Sequence, residues 1–314
     1  MVLLDTFDKK LLQELDSDAS QPLHQLAKKI RRSKQFVSFR LKRLEEEKVI
    51  LGYTALVDIL ALGYFPFRVS IDFERMTEQD KDKFVQAMKK HNQVVQITLI
   101  RERWDLALFI IVKDVQEFRE FWDAILFTYR PFIKAHVVSI YAPLHNFPKT
   151  FLAGQQRKER ILGSRKEPKV VEEAFVRTYA KNVRQTIVEL SQKVHKNPKT
   201  AIKMIDVLEK EEVIVGYQVH LNPLAFGYKS YFVSFLLREG KHSQELFAYC
   251  KSIPEVYQIN RIIGGDDLEL LFMVETRQSL LQLVDKIKEK FRQSIVDDTS
   301  FEFTTVYSQG IIPV

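Results

Sequence analysis

The residues with the most evident chemical purpose lie between Leu26 and Leu44, LAKKIRRSKQFVSFRLKRL. Eight of these are basic (Lys28, Lys29, Arg31, Arg32, Lys34, Arg40, Lys42, Arg43), and no acid falls between Asp18 and Glu45. Cations at that density repel one another and attract phosphate. Val37, Leu41 and Leu44 step by four and three, which sets them on one face of a helix. With those residues at the buried pole of a wheel turning 100° per residue, Gln35, Ser38, Phe39, Lys42 and Arg43 face outward, with Lys34 and Arg40 on the flanks. Gln and Ser suit base edges, and Lys and Arg suit phosphate oxygens. An outward Phe39 meets either a thymine methyl or a neighbouring element. A merely solvated face is the competing reading, but solubilising surfaces mix signs and this one does not.

A helix needs a scaffold to present it. Asp5 to Leu15 carries an apolar stripe at Phe7, Leu11, Leu12 and Leu15, with Asp at the N-cap position. Leu23, Leu26, Ala27 and Ile30 give a short second helix. Ser33 caps the third after the tight link Arg31-Arg32. Three short helices, the last two nearly touching, predict a helix-turn-helix. A strand is expected near Gly52. Strands are then predicted over 67–73, 94–101, 105–112 and 136–142, with amphipathic helices over 78–91 and 115–129. The order βαββαβ is that of a ferredoxin-like sandwich. Residues 146–168 break the pattern, and GQQRKERILGSRKEP within them is polar and basic with two Gly and a Pro, which predicts an exposed linker whose Arg157, Lys158, Arg160, Arg165 and Lys166 could add phosphate contacts.

The chain then repeats itself. LEEEKVILGYTALVDILALGY from Leu44 recurs as LEKEEVIVGYQVHLNPLAFGY from Leu208, an offset of 164, and VQITLIRERWDLALFIIV corresponds to YQINRIIGGDDLELLFMV at an offset of 162. The expected fold is therefore α+β, two tandem copies of a helix-turn-helix (winged-helix-like) domain followed by a ferredoxin-like βαββαβ sandwich. The boundaries are 1–62, 63–148, a basic linker at 149–168, a degenerate helix-turn-helix at 169–226, and 227–314. In the second copy, Gln35, Ser38, Phe39, Lys42 and Arg43 become Lys199, Ile202, Lys203, Asp206 and Val207, and Arg40 becomes Met204. Its third helix is apolar over Ala201, Ile202, Met204, Ile205, Val207 and Leu208, an arc of roughly 220°. So broad an apolar arc is expected to be buried against protein and to have lost DNA reading.

The run LDTFDKKLLQEL from Leu4, the segment QLAKKIRRSKQFVSFRLKRLEEEKVILGY and the βαββαβ unit together resemble the leucine-responsive/asparagine-regulator (Lrp/AsnC) family of transcription regulators. The resemblance implies an N-terminal reading head, with DNA contacts from Ser33, Lys34, Gln35, Ser38, Phe39, Arg40, Lys42 and Arg43. A ferredoxin-like domain would bind a small-molecule effector, often an amino acid, and oligomerise. In that family the turn between the second and third sandwich strands carries Gly and Asp near the effector. Here Gly264, Gly265, Asp266 and Asp267 occupy that turn in the second copy, against Glu102-Arg103-Trp104-Asp105 in the first. Glycine admits a ligand to the backbone, though a plain hairpin turn explains the same residues. Sirohaem decarboxylases resemble the layout too, but their histidine-bearing stretch is missing here, so that enzyme stands as the alternative.

Other chemistry is thin. The seven His are scattered, the single Cys builds neither a metal site nor an intrachain disulfide, and no phosphate-binding glycine loop or nucleophile elbow occurs. No cofactor and no metal is expected, and the chain is read as not an enzyme. No apolar run spans a bilayer and the first residues lack a signal peptide, so a cytoplasmic protein is expected, with no membrane partner. Its partners are duplex DNA, an amino-acid effector by resemblance, and a second copy of the chain, since one head gives few base contacts.

Overall fold

The computed structural model describes residues 1–152, 154, 158–163, 167–238 and 243–308; Arg157, Arg165 and Lys166 of the expected linker lie outside them. Asp5 caps α1 (Thr6–Ser17) by accepting from the N–H groups of Phe7 and Asp8, and Asp8 returns the bond to the Asp5 N–H. α2 (Leu23–Ile30) ends where Arg31 turns left-handed at φ 56°. Ser33 then caps α3 (Lys34–Glu46) by accepting from the Phe36 N–H at 3.1 Å. Leu11, Leu15, Leu26, Val37, Leu41 and Leu44 close the core of these helices. The wing strand β1 (Ile50–Val57) follows.

Next come β2 (Phe65–Phe73), α4 (Glu78–Met88), β3 (Val94–Arg101), β4 (Leu106–Val112), α5 (Val115–Tyr129) and β5 (Ile133–Asn146), the expected βαββαβ order. Phe67, Val69 and Ile71 pack outward on Phe84, Phe118 and Trp122 of α4 and α5, while Arg68 and Ser70 point to the opposite face. After a short β6 (Arg160–Leu162) stand α6 (Glu173–Lys181), α7 (Ile187–Lys193), α8 (Pro198–Lys210) and β7 (Ile214–Leu221). β8 (Lys229–Leu237), α9 (Ser243–Ser252), β9 (Val256–Ile263), β10 (Leu268–Val274), α10 (Arg277–Lys290) and β11 (Ile295–Ser308) complete the chain.

The sheets join the two halves. β1 pairs antiparallel with β7, and Thr54 faces Gln218, its counterpart at the 164-residue offset. Eight of the remaining strands run β2-β4-β3-β11-β8-β10-β9-β5, and β5 pairs back onto β2 so that they close into an antiparallel ring, with the short β6 added at the end of β5. Its two seams match: Arg101 opposite Glu302 on one side and Ile263 opposite Ile140 on the other are counterparts at the 162-residue offset. The helices cover the outside of the ring, and its inner face carries Ile100, Ala107, Phe232, Leu271 and Phe301.

The segment expected as an exposed linker is in part a buried strap. Lys149, Thr150, Leu152 and Arg160 are buried, and the Lys149 ammonium lies 2.8 Å from the buried carboxylate of Asp16. Arg160 donates to the carbonyls of Asp16, Ser17 and Tyr217, tying α1 to β7. Three backbone acceptors inside the protein need donors, and a guanidinium fork supplies them from one side chain. Arg160→Ala leaves those acceptors unmatched. It should cost roughly 2–4 kcal/mol, read as a lower midpoint in thermal or urea unfolding; an unchanged midpoint would mean that water replaces the fork.

Candidate nucleic-acid interface

The outward side of α3 divides in two. Lys34, Gln35, Ser38 and Lys42 are exposed, and Phe39 is 66% exposed with its ring free of the core. Among the described residues Lys42 pairs with its helical neighbour Glu46, at 3.8 Å, a solvent-screened pair of small weight. Exposed Lys28, Arg31 and Arg32 continue the basic surface from the preceding turn, with the Arg32 guanidinium 4.1 Å above the Phe7 ring. These groups could meet phosphates while Gln35 and Ser38 lie between them.

Arg40 and Arg43 are placed otherwise than the helical wheel implies. Arg40 bonds Asp5 at 2.8 Å and Asp8 at 3.2 Å, and Arg43 reaches Asp8 at 2.5 Å and Glu47 at 3.6 Å. The Asp8 carboxylate is fully buried and Arg40 is only 18% exposed at its side chain. A buried carboxylate needs paired charge, and both guanidinium groups face back onto α1 to supply it. Arg40 and Arg43 therefore brace α3 against α1. Arg40 stands on the flank of the wheel and Arg43 on its outward side, and the acids of α1 draw both guanidinium groups back. The bracing acids Asp5 and Asp8 escape a sequence reading that assigns them to capping alone; their spacing of three on one face of α1 is the available signal. Burial pushes the Asp5 carboxyl up, but the Asp8 N–H and the Arg40 charge prevail and hold it below its ordinary value of 3.8. At the far end of α3, Tyr53 of β1 donates to Glu45 at 2.6 Å, and burial together with that carboxylate pushes the phenol well up.

α8 presents a different surface. Lys199, Lys203 and Asp206 are exposed, Met204 and Ile205 are half-buried, and Ile202 and Val207 are 48% and 50% exposed. The expected burial of this face against protein is thus not found within the chain. Helical geometry lets α8 turn only Ala201 and Leu208 fully into its core, and the rest of the arc overhangs.

The expected effector loop is packed by the chain itself. Gly264 and Gly265 have φ of 91° and 90°, and a Cβ at Gly264 would stand 2.4 Å from the Val138 carbonyl oxygen. The Ser139 hydroxyl donates to the Gly264 carbonyl at 2.6 Å. Close approach here is made by β5, so these glycines serve the seam between the halves. Asp267 accepts from the Leu237 N–H at 2.7 Å, pinning the turn, and Asp266 is half-buried beside it. In the first half, Asp105 does the same for the Phe73 N–H, and Trp104 packs on the inner apolar cluster.

No helix among the described residues is long and apolar enough to cross a membrane, and none of their His, Cys, Asp and Glu side chains cluster as a metal site. The winged helix-turn-helix DNA-binding family matches residues 4–50. The proline dehydrogenase transcriptional activator of Rhizobium radiobacter is 30% identical over 118 residues, covering 37% of this chain and 75% of that protein. Transcriptional regulator AzlB of Bacillus subtilis is 30% identical over 121 residues, 38% of this chain and 77% of that one. Among solved structures, the siroheme decarboxylase NirDL superposes with a TM-score of 0.65 at 12% identity, over 98% of this chain and 94% of that one. The expectation that this chain is not an enzyme is overturned here, because the fold that matches from end to end is an enzyme's.

The brace has a measurable consequence. Asp8→Ala should cost roughly 2 kcal/mol of stability and should weaken DNA binding although Asp8 is buried away from the surface. The Asp5 contribution should be fully present above about pH 4 and be lost as pH falls through its lowered folded value, so the midpoint of acid unfolding should move up in Asp5→Asn. DNA affinity unchanged by Asp8→Ala would show that α3 holds its place without the brace.

Proposed function

Because the chain belongs to the Lrp/AsnC family of transcription regulators, we propose that it regulates transcription by sequence-specific reading of duplex DNA through α2 and α3. The observation that carries this reading is the exposed, acid-free face of Lys34, Gln35, Ser38, Phe39 and Lys42, backed by Lys28, Arg31 and Arg32. In this reading α3 enters the major groove, Gln35 and Ser38 meet base edges, Phe39 meets a thymine methyl, and the cations hold the phosphates. The contrast within the chain supports it. Over Leu26–Arg43 there are eight basic and no acidic residues, and over Leu190–Val207 four basic and one acidic.

The second half is read as a copy of the first, from the sequence offsets and the matched strand registers. The domain boundaries follow from that reading, with 149–168 a strap between the copies. On it, α8 stands where a dimeric regulator would hold its second reading helix, without the side chains to read. Two α3 heads on one operator then need a homodimer. Control by an amino acid is the mode the family implies, although the Gly264 turn is occupied by β5.

A second reading, sirohaem decarboxylation, is favoured by one observation, the superposition on NirDL over 98% of this chain. Sirohaem added to the protein would then lose carbon dioxide, with a mass change readable by spectrometry; unchanged sirohaem would remove this reading.

Selection from a random duplex library, followed by titration of the selected site, tests the first. Lys34→Ala with Lys42→Ala should weaken binding at least tenfold and lower the slope of log K against log salt by about 2. Gln35→Ala should relax preference at one base pair by roughly 1–3 kcal/mol. Lys199→Ala with Lys203→Ala should change little. Equal losses from the α3 and α8 pairs, or no preferred sequence, would overturn the proposal, and a monomer by light scattering on the site would overturn the pairing.

A further inference from the structure

The strap between the halves fills a place whose counterpart stands uncovered. β6 pairs antiparallel with the end of β5, Leu162 opposite Leu144 and Arg160 opposite Asn146. It takes that edge because β2 leaves β5 after Ile140. The matching stretch of β11 is 306–308. Val306, Tyr307 and Ser308 face Thr98, Ile97 and Gln96 as Leu144, His145 and Asn146 face Asn260, Ile259 and Gln258. β8 leaves β11 after Glu302, the counterpart of Ile140. Among the described residues no strand takes the other edge of 306–308.

Two further contacts of the strap repeat the contrast. A Cβ at Gly216 would stand 2.7 Å from the Arg160 side chain, whereas one at the counterpart Gly52 would have nothing within 4 Å. Leu60 lies against Gly163 of the strap, its Cδ1 3.6 Å from where a Cβ would be. Its counterpart Leu224 is 54% exposed, and Val306 on the open edge is 49% exposed. Strand edge, side-chain slot and apolar contact are thus uncovered together. An open edge beside exposed apolar side chains is how a sheet accepts an added strand.

The charge of the slot differs, and that selects the occupant. Arg160 lies in the field of Asp16 and Asp18 and donates to the carbonyls of Asp16, Ser17 and Tyr217. At the 164-residue offset Asp16, Ser17, Asp18 and Tyr217 become Ala180, Lys181, Asn182 and Tyr53. Both acids are gone, and the Tyr53 carbonyl already accepts from the Val183 N–H at 3.0 Å. Lys181 is exposed, has no carboxylate partner among the described residues, and borders the same cavity as Gly52. An arginine here would meet a like charge, and an acid an opposite one.

We propose that the 306–308 edge takes an extended segment of a partner protein that reads acid, any residue, leucine, glycine. The segment runs antiparallel to β11, its acid opposite Ser308 and reaching Lys181, its leucine opposite Val306, its glycine against Leu224. The second position is unrestricted because Ile161, which it copies, points outward at 40% exposure. This edge serves a partner whether or not α3 reads DNA.

The test uses the full chain and two fluorescein-labelled peptides: Lys-Glu-Arg-Ile-Leu-Gly, the strap sequence at 158–163, and the same peptide with Glu in place of Arg. Anisotropy should show saturable binding of one Glu peptide per chain, at least tenfold tighter than the Arg peptide. Lys181→Glu should reverse that order, which a loss of folding cannot do. Gly52→Phe fills the slot. It should keep the thermal midpoint, having open space to enter, and bind the Glu peptide at least tenfold more weakly. A chain ending at Ser308 should bind that peptide as the full chain does. No saturable binding, an unreversed order in Lys181→Glu, or equal binding by Gly52→Phe would overturn the proposal. Tighter binding by the shortened chain would make residues 309–314 the occupant, and a dimer split by the peptide would make it a second copy; either result overturns a separate partner.

Discussion

Everything in this molecule depends on closing the sheet edges. A four-stranded sandwich sheet leaves edge strands whose N–H and C=O groups invite any partner. Here the edge at β3 is taken by β11 and the edge at β9 by β5, at matched registers, so each half completes the other. The helical units obey the same constraint, since β1 has only β7 to pair with in its two-stranded sheet. The pairing centred on Thr54 and Gln218 brings α6 onto β1 and α1 onto β7. Once backbone pairing is this symmetric, the differences between the halves belong to side chains, and each one becomes informative.

The brace under α3 is one such difference. Asp5, Asp8, Arg40 and Arg43 become Lys169, Glu172, Met204 and Val207 at the 164-residue offset. At those positions the second unit has outlying ion pairs instead, Lys169 with Glu211 and Lys196 with Glu172, each at 2.9 Å and partly in water. Without guanidinium groups to bury, the matching face of α8 carries Met204 and Val207, and the latter stays half in solvent. The loss of basic surface and the loss of the brace go together: both depend on the basic side chains of the third helix, which α8 lacks at these positions.

Much of this was legible in the sequence, and what was not has a physical reason. The Ser33 cap, the strand at 94–101 and the helix at 115–129 follow from capping chemistry and periodicity, and the structure has them at the expected residues. Local pattern carries no information about distant partners. Arg40 reads as a flank cation until Asp8, thirty-two residues away, is seen beneath it. Arg160 reads as linker charge until three carbonyls are found around it. Gly264 reads as room for a ligand until the Val138 carbonyl fills that room. Each error has the same origin: a polar or small residue takes its role from what packs on it, while an apolar stripe declares its role by itself. The enzyme question escaped for a related reason, since motif absence tests only known constellations.

Arg68 of β2 and Glu269 of β10 form an ion pair across the ring, and could be thought to specify the fold by tying the halves together. The registers argue otherwise. Both seams are already fixed by backbone ladders and by the alternation of outward apolar side chains, and a slip of one residue would turn every one of those to the wrong face. An ion pair adds nothing to a register so determined. Nor does it add stability in general: an apolar pair of similar volume in its place is often neutral or better by about 1–4 kcal/mol, and the ring contains such a pair at the repeat counterparts, Phe232 and Ala107. The Arg68–Glu269 pair is thus a difference between the halves that neither the register nor stability requires.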